Sequence, residues 1–281
     1  MTQEVSGKTE LQNLIPQMWS DDMYDELRNK IIFASIFNRD YEGEISQMGD
    51  TVKVNQIVAA TGEILTDDKQ TFSSEEITVN QYEIVVNKRA SAAFEFTSLA
   101  QLQSQSFEQE AQEALLHGIR TQLENDIIAA LLPSTATPDH DIAPVSAGDL
   151  AAVDMAAMRT LFSQAKLPVT NRWFVGDPQY YGDLIQKSAF SSSDFIPAGS
   201  PQATGALTNP LYGFTVAEHD LLSADTGYAV HPSALSLVMQ QGIRVKISDL
   251  HTQKKYGFLL SADMVYGFKL FDNKRIIKIS G

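Results

Sequence analysis

The sequence predicts an α+β fold, and three observations carry that prediction. Two alternating, β-branched segments, residues 51–58 and 77–86, read as an antiparallel pair of strands. An i+4 apolar stripe then runs unbroken from Phe107 to Leu131 and reads as one long helix. Beyond the proline-bearing stretch 133–147, short helical and strand patterns alternate to the end of the chain.

Residues 1–15 are polar and unpatterned and read as a mobile arm. Ser20-Asp21-Asp22 opens a short helix. Asp21, Asp22, Asp25 and Glu26 crowd its first turns and Arg28 and Lys30 follow, an order that suits the helix dipole. Met23, Leu27 and Ile31 form its stripe, and the apolar run continues to Phe37. In the first predicted strand Val52 and Val54 alternate with polar residues; in the second Tyr82, Ile84 and Val86 keep step. The connection between them, roughly 59–76, is polar and acidic and far longer than a hairpin turn, which marks a functional or disordered loop.

The helix is expected over residues 97–132, with Ser98 and Gln101 resembling a capping box and Pro133 as the stop. Its stripe is Phe107, Ala111, Leu115, Ile119, Leu123, Ile127 and Leu131. A helix of about 35 residues spans about 50 Å, and an i+4 stripe drifts around it, so a bend or a change of packing partner is expected. No a/d heptad is sustained, so it should lie across a layer of other elements. After the linker, Leu150, Val153, Ala157, Met158, Leu161, Phe162 and Ala165 mark a helix ending near Lys166. Residues 172–175 read as a short buried strand. Asp177 and Pro178 supply an N-cap and a first helical residue for a helix bearing Tyr181, Leu184 and Ile185. A second long loop covers 188–210. Strands are expected at 213–216, 228–231, 243–247, 256–270 and 275–279, the last after an Asp272-Asn273 turn.

The chain has 281 residues, 43% hydrophobic and 20% charged, enough for a sizeable core in one large domain or two modest ones. Thirty-five acidic residues against 21 basic ones give a formal net charge of −14, which argues against a nucleic-acid reader. The absence of cysteine excludes disulfides, thiolate metal sites and a cysteine nucleophile. The first residues lack a signal-peptide pattern and no stretch approaches a membrane span, so the chain is expected to stay where it is made, without a membrane partner.

No constellation for catalysis emerges. The five histidines, His117, His140, His219, His231 and His251, are scattered. Asp139-His140-Asp141 reads as an exposed polar turn rather than a metal site. Walker, GxGxxG and GxSxG motifs are missing. The neighbouring carboxylates Asp21/Asp22, Asp67/Asp68 and Glu75/Glu76 point in different directions on any regular element and read as solvated charges. Trp19 beside Met18 fits a partner anchor and a staple onto the first helix equally well. No catalytic, cofactor-binding or metal-binding residue is therefore assigned, and no cofactor is expected. What remains is a polar arm, a protruding two-stranded ribbon and an overlong helix. A lone ribbon is marginal in water, so these parts call for burial against neighbouring copies, as in a structural protein that assembles.

Several segments in shared order resemble the major capsid proteins of tailed bacteriophages, with the Hong Kong 97-like fold. Near the start they are Pro16 and Trp19, then Asn38, Asp40, Gly43 and Gly49-Asp50-Thr51-Val52. NRWFVGDPQYYGDLI from Asn171 resembles the family's Arg, apolar strand, Pro, Leu pattern, and NPLYGFTVAEHDLL from Asn209 its Gly-Phe-x-Val strand. HPSALSLVMQQGIRVKI from His231 and MVYGFKLFDNKRIIKI from Met264 resemble its closing segments. The resemblance implies an N-terminal arm over 1–45, an extended hairpin loop over 46–96 that reaches over an adjacent subunit, and a spine helix of the peripheral domain over 97–133. It further implies an axial domain over 134–240 and return strands of the peripheral domain over 241–281. Trp19, Glu63, Asp67, Asp68, Lys69 and Phe72 become the candidate subunit-interface residues. The implied partners are other copies of the chain in hexamers and pentamers, a portal and a separate scaffolding protein. The implied shell encloses double-stranded DNA without sequence-specific binding, in the virion after assembly in the host cytoplasm.

Two other readings remain open at this level. An encapsulin-type nanocompartment uses the same fold around enzymes rather than DNA. An acidic two-carboxylate hydrolase, or a carbohydrate-binding protein, would use the hairpin as a lid over a deep pocket lined by carboxylates.

Overall fold

A computed structural model describes residues 32–41, 51–67, 71, 74–97, 107–186, 207, 210–253 and 255–281. The predicted helix from Ser20, the capping pair Ser98 and Gln101, and most of the loop 188–210 lie outside the described residues.

The apolar run ending at Phe37 forms a four-residue helix, α1 (Phe33–Ile36), whose Phe33 and Ile36 are buried. The ribbon follows as β1 (Thr51–Ile57) and β2 (Val79–Val85), paired antiparallel from Thr51↔Val85 to Ile57↔Val79. β3 (Lys88–Thr97) then pairs over its whole length with β9 (Gly257–Leu270), which also pairs with β8 (Leu235–Asp249), giving a sheet ordered β3-β9-β8.

The long helix, α2, runs Phe107–Ala130, 24 residues and about 36 Å. The expected start at residue 97 is corrected: Thr97 closes β3, opposite Gly257. The run KRASAAFEFT is extended because each of its ten residues finds a partner on β9, a tertiary pairing that overrides the helix preference of its alanines. From Ala111 onward every member of the predicted stripe, through Leu115, Ile119, Leu123, Ile127 and Leu131, is buried. They share one core with Leu260, Ala262 and Met264 of β9 and with Phe33 and Phe37. Val175, Tyr228 and Val230 of the second sheet join the same core, so α2 lies across two layers rather than in a coiled coil.

That second sheet has five strands in the order β4-β10-β7-β5-β6. They are β4 (Asp141–Ile142), β5 (Arg172–Gly176), β6 (Phe214–Glu218), β7 (Thr226–Val230) and β10 (Ile276–Ser280). Helices α3 (Ala152–Gln164) and α4 (Pro178–Gln186) supply a separate core on its other face, where Met158, Phe162, Tyr180 and Leu184 meet Phe174, Ala229 and Ile277. Successive residues of β5 and β7 thus face different cores, which explains why these strands read as continuous apolar runs. Asp177 caps α4 as expected, accepting from the Tyr180 N–H at 3.1 Å.

The last strand departs from the expectation that 241–281 all return to the first sheet. β10 pairs antiparallel with β7, Ile276 opposite Val230, and parallel with β4. Asp272 caps the turn Asn273–Arg275, its Oδ1 accepting from the Lys274 N–H at 3.0 Å. The turn sends Ile277 and Ile279 into the second core, where both are fully buried. The turn 139–141 also differs from expectation. Asp139 Oδ1 does accept from the Asp141 N–H at 2.9 Å, but His140 is only 1% exposed. Its carbonyl accepts from the Lys278 N–H at 2.9 Å, so pairing beside β10 draws the residue inward.

Candidate assembly surface

The ribbon is anchored at one end only. Val52 and Ile84 from its two strands pack with Val86, Val238 of β8 and Val265 of β9 into a small core of their own. Gly267 makes that approach possible: a Cβ there would collide with the Val85 carbonyl and lie 2.8 Å from the Cα of Val86. Tyr82 meets Phe271 edge-on with ring centroids 5.3 Å apart. Across the ribbon, Lys53 faces Glu83 at 3.6 Å and the Tyr82 hydroxyl donates to Gln56 Oε1 at 3.3 Å.

Past this base the described ribbon and loop residues are exposed, including large apolar side chains. Ile64 is 89% exposed and Ile77 79%, and Ile57, Val58 and Val79 are exposed with them. Of the predicted interface residues, Glu63 and Asp67 are described and both are exposed. Trp19, Asp68, Lys69 and Phe72 lie outside the described residues. Ile64 and Ile77 were not singled out from the sequence, although isoleucines set in a mostly polar and acidic loop were the available signal.

Beneath the ribbon base is a cleft of about 280 Å³. Its lining is mostly amide, hydroxyl and aromatic; Asp272 is its one carboxylate, with Arg275 beside it at 3.3 Å. This is not the paired-carboxylate arrangement that glycoside hydrolysis requires. Among the described residues no three His, Asp or Glu side chains are grouped to hold a metal ion, and no helix is long and apolar enough to cross a membrane.

Charged groups tie the subunit body together around this surface. Glu124 of α2 is fully buried. Its carboxylate accepts from the backbone N–H groups of Phe33 at 3.0 Å and Ala34 at 2.8 Å, which satisfies the first donors of α1. One turn short of the helix end, Asp126 accepts from the Tyr266 hydroxyl at 2.7 Å and from Lys88 at 3.0 Å. Burial works against the charge on Asp126, but these bonds outweigh it and hold the carboxyl below its usual range. The same burial, with the bond to Asp126, raises the Tyr266 phenol. On the first sheet, Asp263 accepts from Arg244 Nε at 3.1 Å and from Arg89 Nε at 3.1 Å. The bonds from Arg244, then Arg89, hold its pKa down to about 2.

This architecture is similar in fold to solved structures from phages and from a GTA particle. A structure from Mycobacterium phage Che8 matches with a TM-score of 0.76 at 22% identity, covering 95% of this chain and 97% of its own. The capsid structure of the cyanophage P-SCSP1u matches with a TM-score of 0.74 at 13% identity, covering 100% of this chain and 96% of its own. The capsid of a native GTA particle gives 0.65 at 15% identity, with 99% of each chain covered. At these identities the likeness is one of fold. No curated protein matches the sequence. A family model described as phage capsid protein matches residues 101–279, which takes in α2, the first sheet except β3, and the second sheet. That match covers more than half of the chain, which is therefore a structural protein and belongs to the phage capsid protein family.

Proposed function

We propose that this protein is the major capsid protein of a tailed bacteriophage, with the Hong Kong 97-like fold. In this reading it assembles through hexamers and pentamers into an icosahedral shell around double-stranded DNA. The β3-β9-β8 sheet with α2 forms the peripheral domain. The five-stranded sheet, including β10, forms the axial domain. The ribbon and its loop form the extended loop, which lies over a neighbouring subunit. A portal and a scaffolding protein are the further partners, and the protein passes from host cytoplasm to virion.

The observation that supports this reading best is the contrast along the ribbon, whose base is packed on Gly267 while Ile64 and Ile77 stand in solvent. Exposed apolar groups at the end of a protruding element mark an interaction site. Overlapping loops also suit a closed shell, because many modest contacts gain avidity once the shell closes.

The test is expression alone and with a scaffolding protein, followed by size-exclusion chromatography and negative-stain microscopy. Closed megadalton shells are expected, with nucleic acid inside when packaging is active. A discrete 31 kDa species at high concentration under both conditions would overturn the reading. Shells filled with enzyme and devoid of nucleic acid would shift it to a nanocompartment.

A further inference from the structure

The chain crosses between its two core sheets at 231–234, from β7 to β8, and again at 271–275, from β9 to β10. The two crossings are bound to each other. The Phe271 N–H donates to the Ala234 carbonyl at 2.8 Å, and the His231 N–H donates to the Arg275 carbonyl at 3.2 Å. They also hold what lies beside them. The Asn38 N–H donates to the Pro232 carbonyl at 3.3 Å, and Phe271 carries the ring that meets Tyr82 of the ribbon. Both sheets, the ribbon base and the segment around Asn38 thus meet at one junction.

His231 stands at its centre. Val230 pairs with Trp173 on one side and with Ile276 on the other. One step beyond, Arg172, His231 and Arg275 therefore lie in a row across the ends of β5, β7 and β10. His231 Nδ1 accepts from the Ser233 N–H at 3.3 Å and lies 2.7 Å from Ser233 Oγ. With Nδ1 an acceptor, the serine hydroxyl donates to it, and Oγ in turn accepts from Arg275 Nη1 at 2.6 Å. Ser233 bridges the two crossings in this way only while Nδ1 carries no proton.

The charges around the ring are one-sided. Arg275 of the second crossing and Arg172 of β5 are the charged groups that act on it, and both are positive. Arg172 is 1% exposed; its Nε and Nη2 donate to the carbonyls of Pro168 and Leu167, each at 2.7 Å, and its Nη1 has no partner among the described residues. Asp272 is already engaged, by Arg275 Nε at 3.3 Å and by the Lys274 N–H at 3.0 Å. A proton on Nδ1 would remove both bonds from Ser233 and set a third positive charge between two others. Among the described residues, only a hydrogen bond to the Thr170 backbone favours it.

We propose that His231 is a proton-operated latch on this junction. Neutral, it ties the two crossings together through Ser233. Protonated, it releases Ser233 and Arg275, and the ribbon base and residues 38–41 loosen with them. Burial, then Arg275 and Arg172, lower the folded pKa of His231 below its ordinary 6.5. A lowered histidine pKa puts the latch at full strength above 6.5, and its hold is lost as pH falls through the folded value. Each unit of lowering makes about a tenfold change in the ratio of open to closed latch. The latch belongs to the single subunit, so its failure would leave the capsid reading untouched.

The experiment starts with an NMR titration of the His231 ring in the unassembled subunit, the ring assigned through its own backbone. A midpoint below 6.5 is expected, and one at 6.5 or above would overturn the latch. The second measurement is amide hydrogen exchange at Asn38, His231 and Phe271, corrected for the intrinsic effect of pH. From about pH 7 to about pH 5 their protection should fall several-fold in the wild type, while the amides of α2 keep theirs. Asparagine offers an acceptor oxygen to the Ser233 N–H but takes no proton, so His231→Asn should hold its protection level over that range. An equal fall in both proteins, or none in the wild type, would overturn the latch. Ser233→Ala keeps the test open should His231→Asn fail to fold. Loss of the hydroxyl that donates to Nδ1 should raise the His231 midpoint, and an unchanged midpoint would count against the latch as well.

Discussion

Glu124 and His219 meet at 3.3 Å with both side chains fully buried. His219 Nδ1 accepts from the Leu221 N–H at 3.2 Å, so Nε2 carries the proton and donates to Glu124. The carboxylate therefore joins three parts of the chain: α1 through two backbone N–H groups, α2 that bears it, and the segment after β6 through His219. Phe33 stacks on the imidazole at 5.4 Å and seals the group from water.

Removing this carboxylate leaves buried donors without an acceptor. Glu124→Ala is expected to cost about 3–5 kcal/mol of subunit stability, and Glu124→Gln, which keeps one acceptor oxygen, about 1–3 kcal/mol. Urea denaturation of the two variants checks both the size and the order. Equal loss in the two would show that side-chain volume, not the acceptor, is what matters.

Gly267 is the second sensitive position. Gly267→Ala places a methyl group into the Val85–Val86 backbone, which cannot give as the end of a flexible side chain would. Overpacking of this kind costs about 1–3 kcal/mol, and the strain falls on the ribbon base. Limited proteolysis should show the ribbon cut faster in G267A than in the wild type, with the two core sheets still resistant.

Acid should remove the stabilisation that Asp263 lends the first sheet. The folded pKa of Asp263 is about 2, below the ordinary 3.8. A lowered folded pKa means that the bonds to Arg244 and Arg89 contribute in full above about pH 4 and are lost as pH falls through 2. Asp263→Asn is expected to lose stability at neutral pH and to flatten the profile between pH 4 and 2. Stability-against-pH curves for both proteins, at low salt, test the sign.

Loop shortening separates folding from assembly. Deleting residues 63–72 removes no described member of the three cores, so the subunit should fold with a near-native melting temperature. Shell formation, or the heat resistance of the shells, should fall. Normal assembly with normal heat resistance would sink the overlapping role of the loop.

Much of this was legible in the residues because some signals are local. The stripe from Ala111 to Leu131 is periodic whatever it packs on, and Asp177-Pro178 starts a helix by its own chemistry. β3 was hidden because Ala90, Ser91, Ala92 and Ala93 carry no alternation, and its partner on β9 is far along the chain. The destination of β10 was hidden for a different reason: Ile276 and Ile277 suit any two-sided buried strand, and only the turn capped by Asp272 chooses the sheet. At the assembly surface, the acidic loop could be read directly. The arginine pair on Asp263 could not, since Arg89 and Arg244 become neighbours only when β9 runs between their strands.

The bond between Glu124 and the start of α1 also sets a limit on what a subunit can lend to its neighbour. From Phe33 onward the leading segment is held by a charge that has no water to replace it. Detaching it would strand that charge in a dry interior. Residues 33–37 should therefore move with the long helix as one rigid piece whenever neighbouring copies shift in the proposed shell.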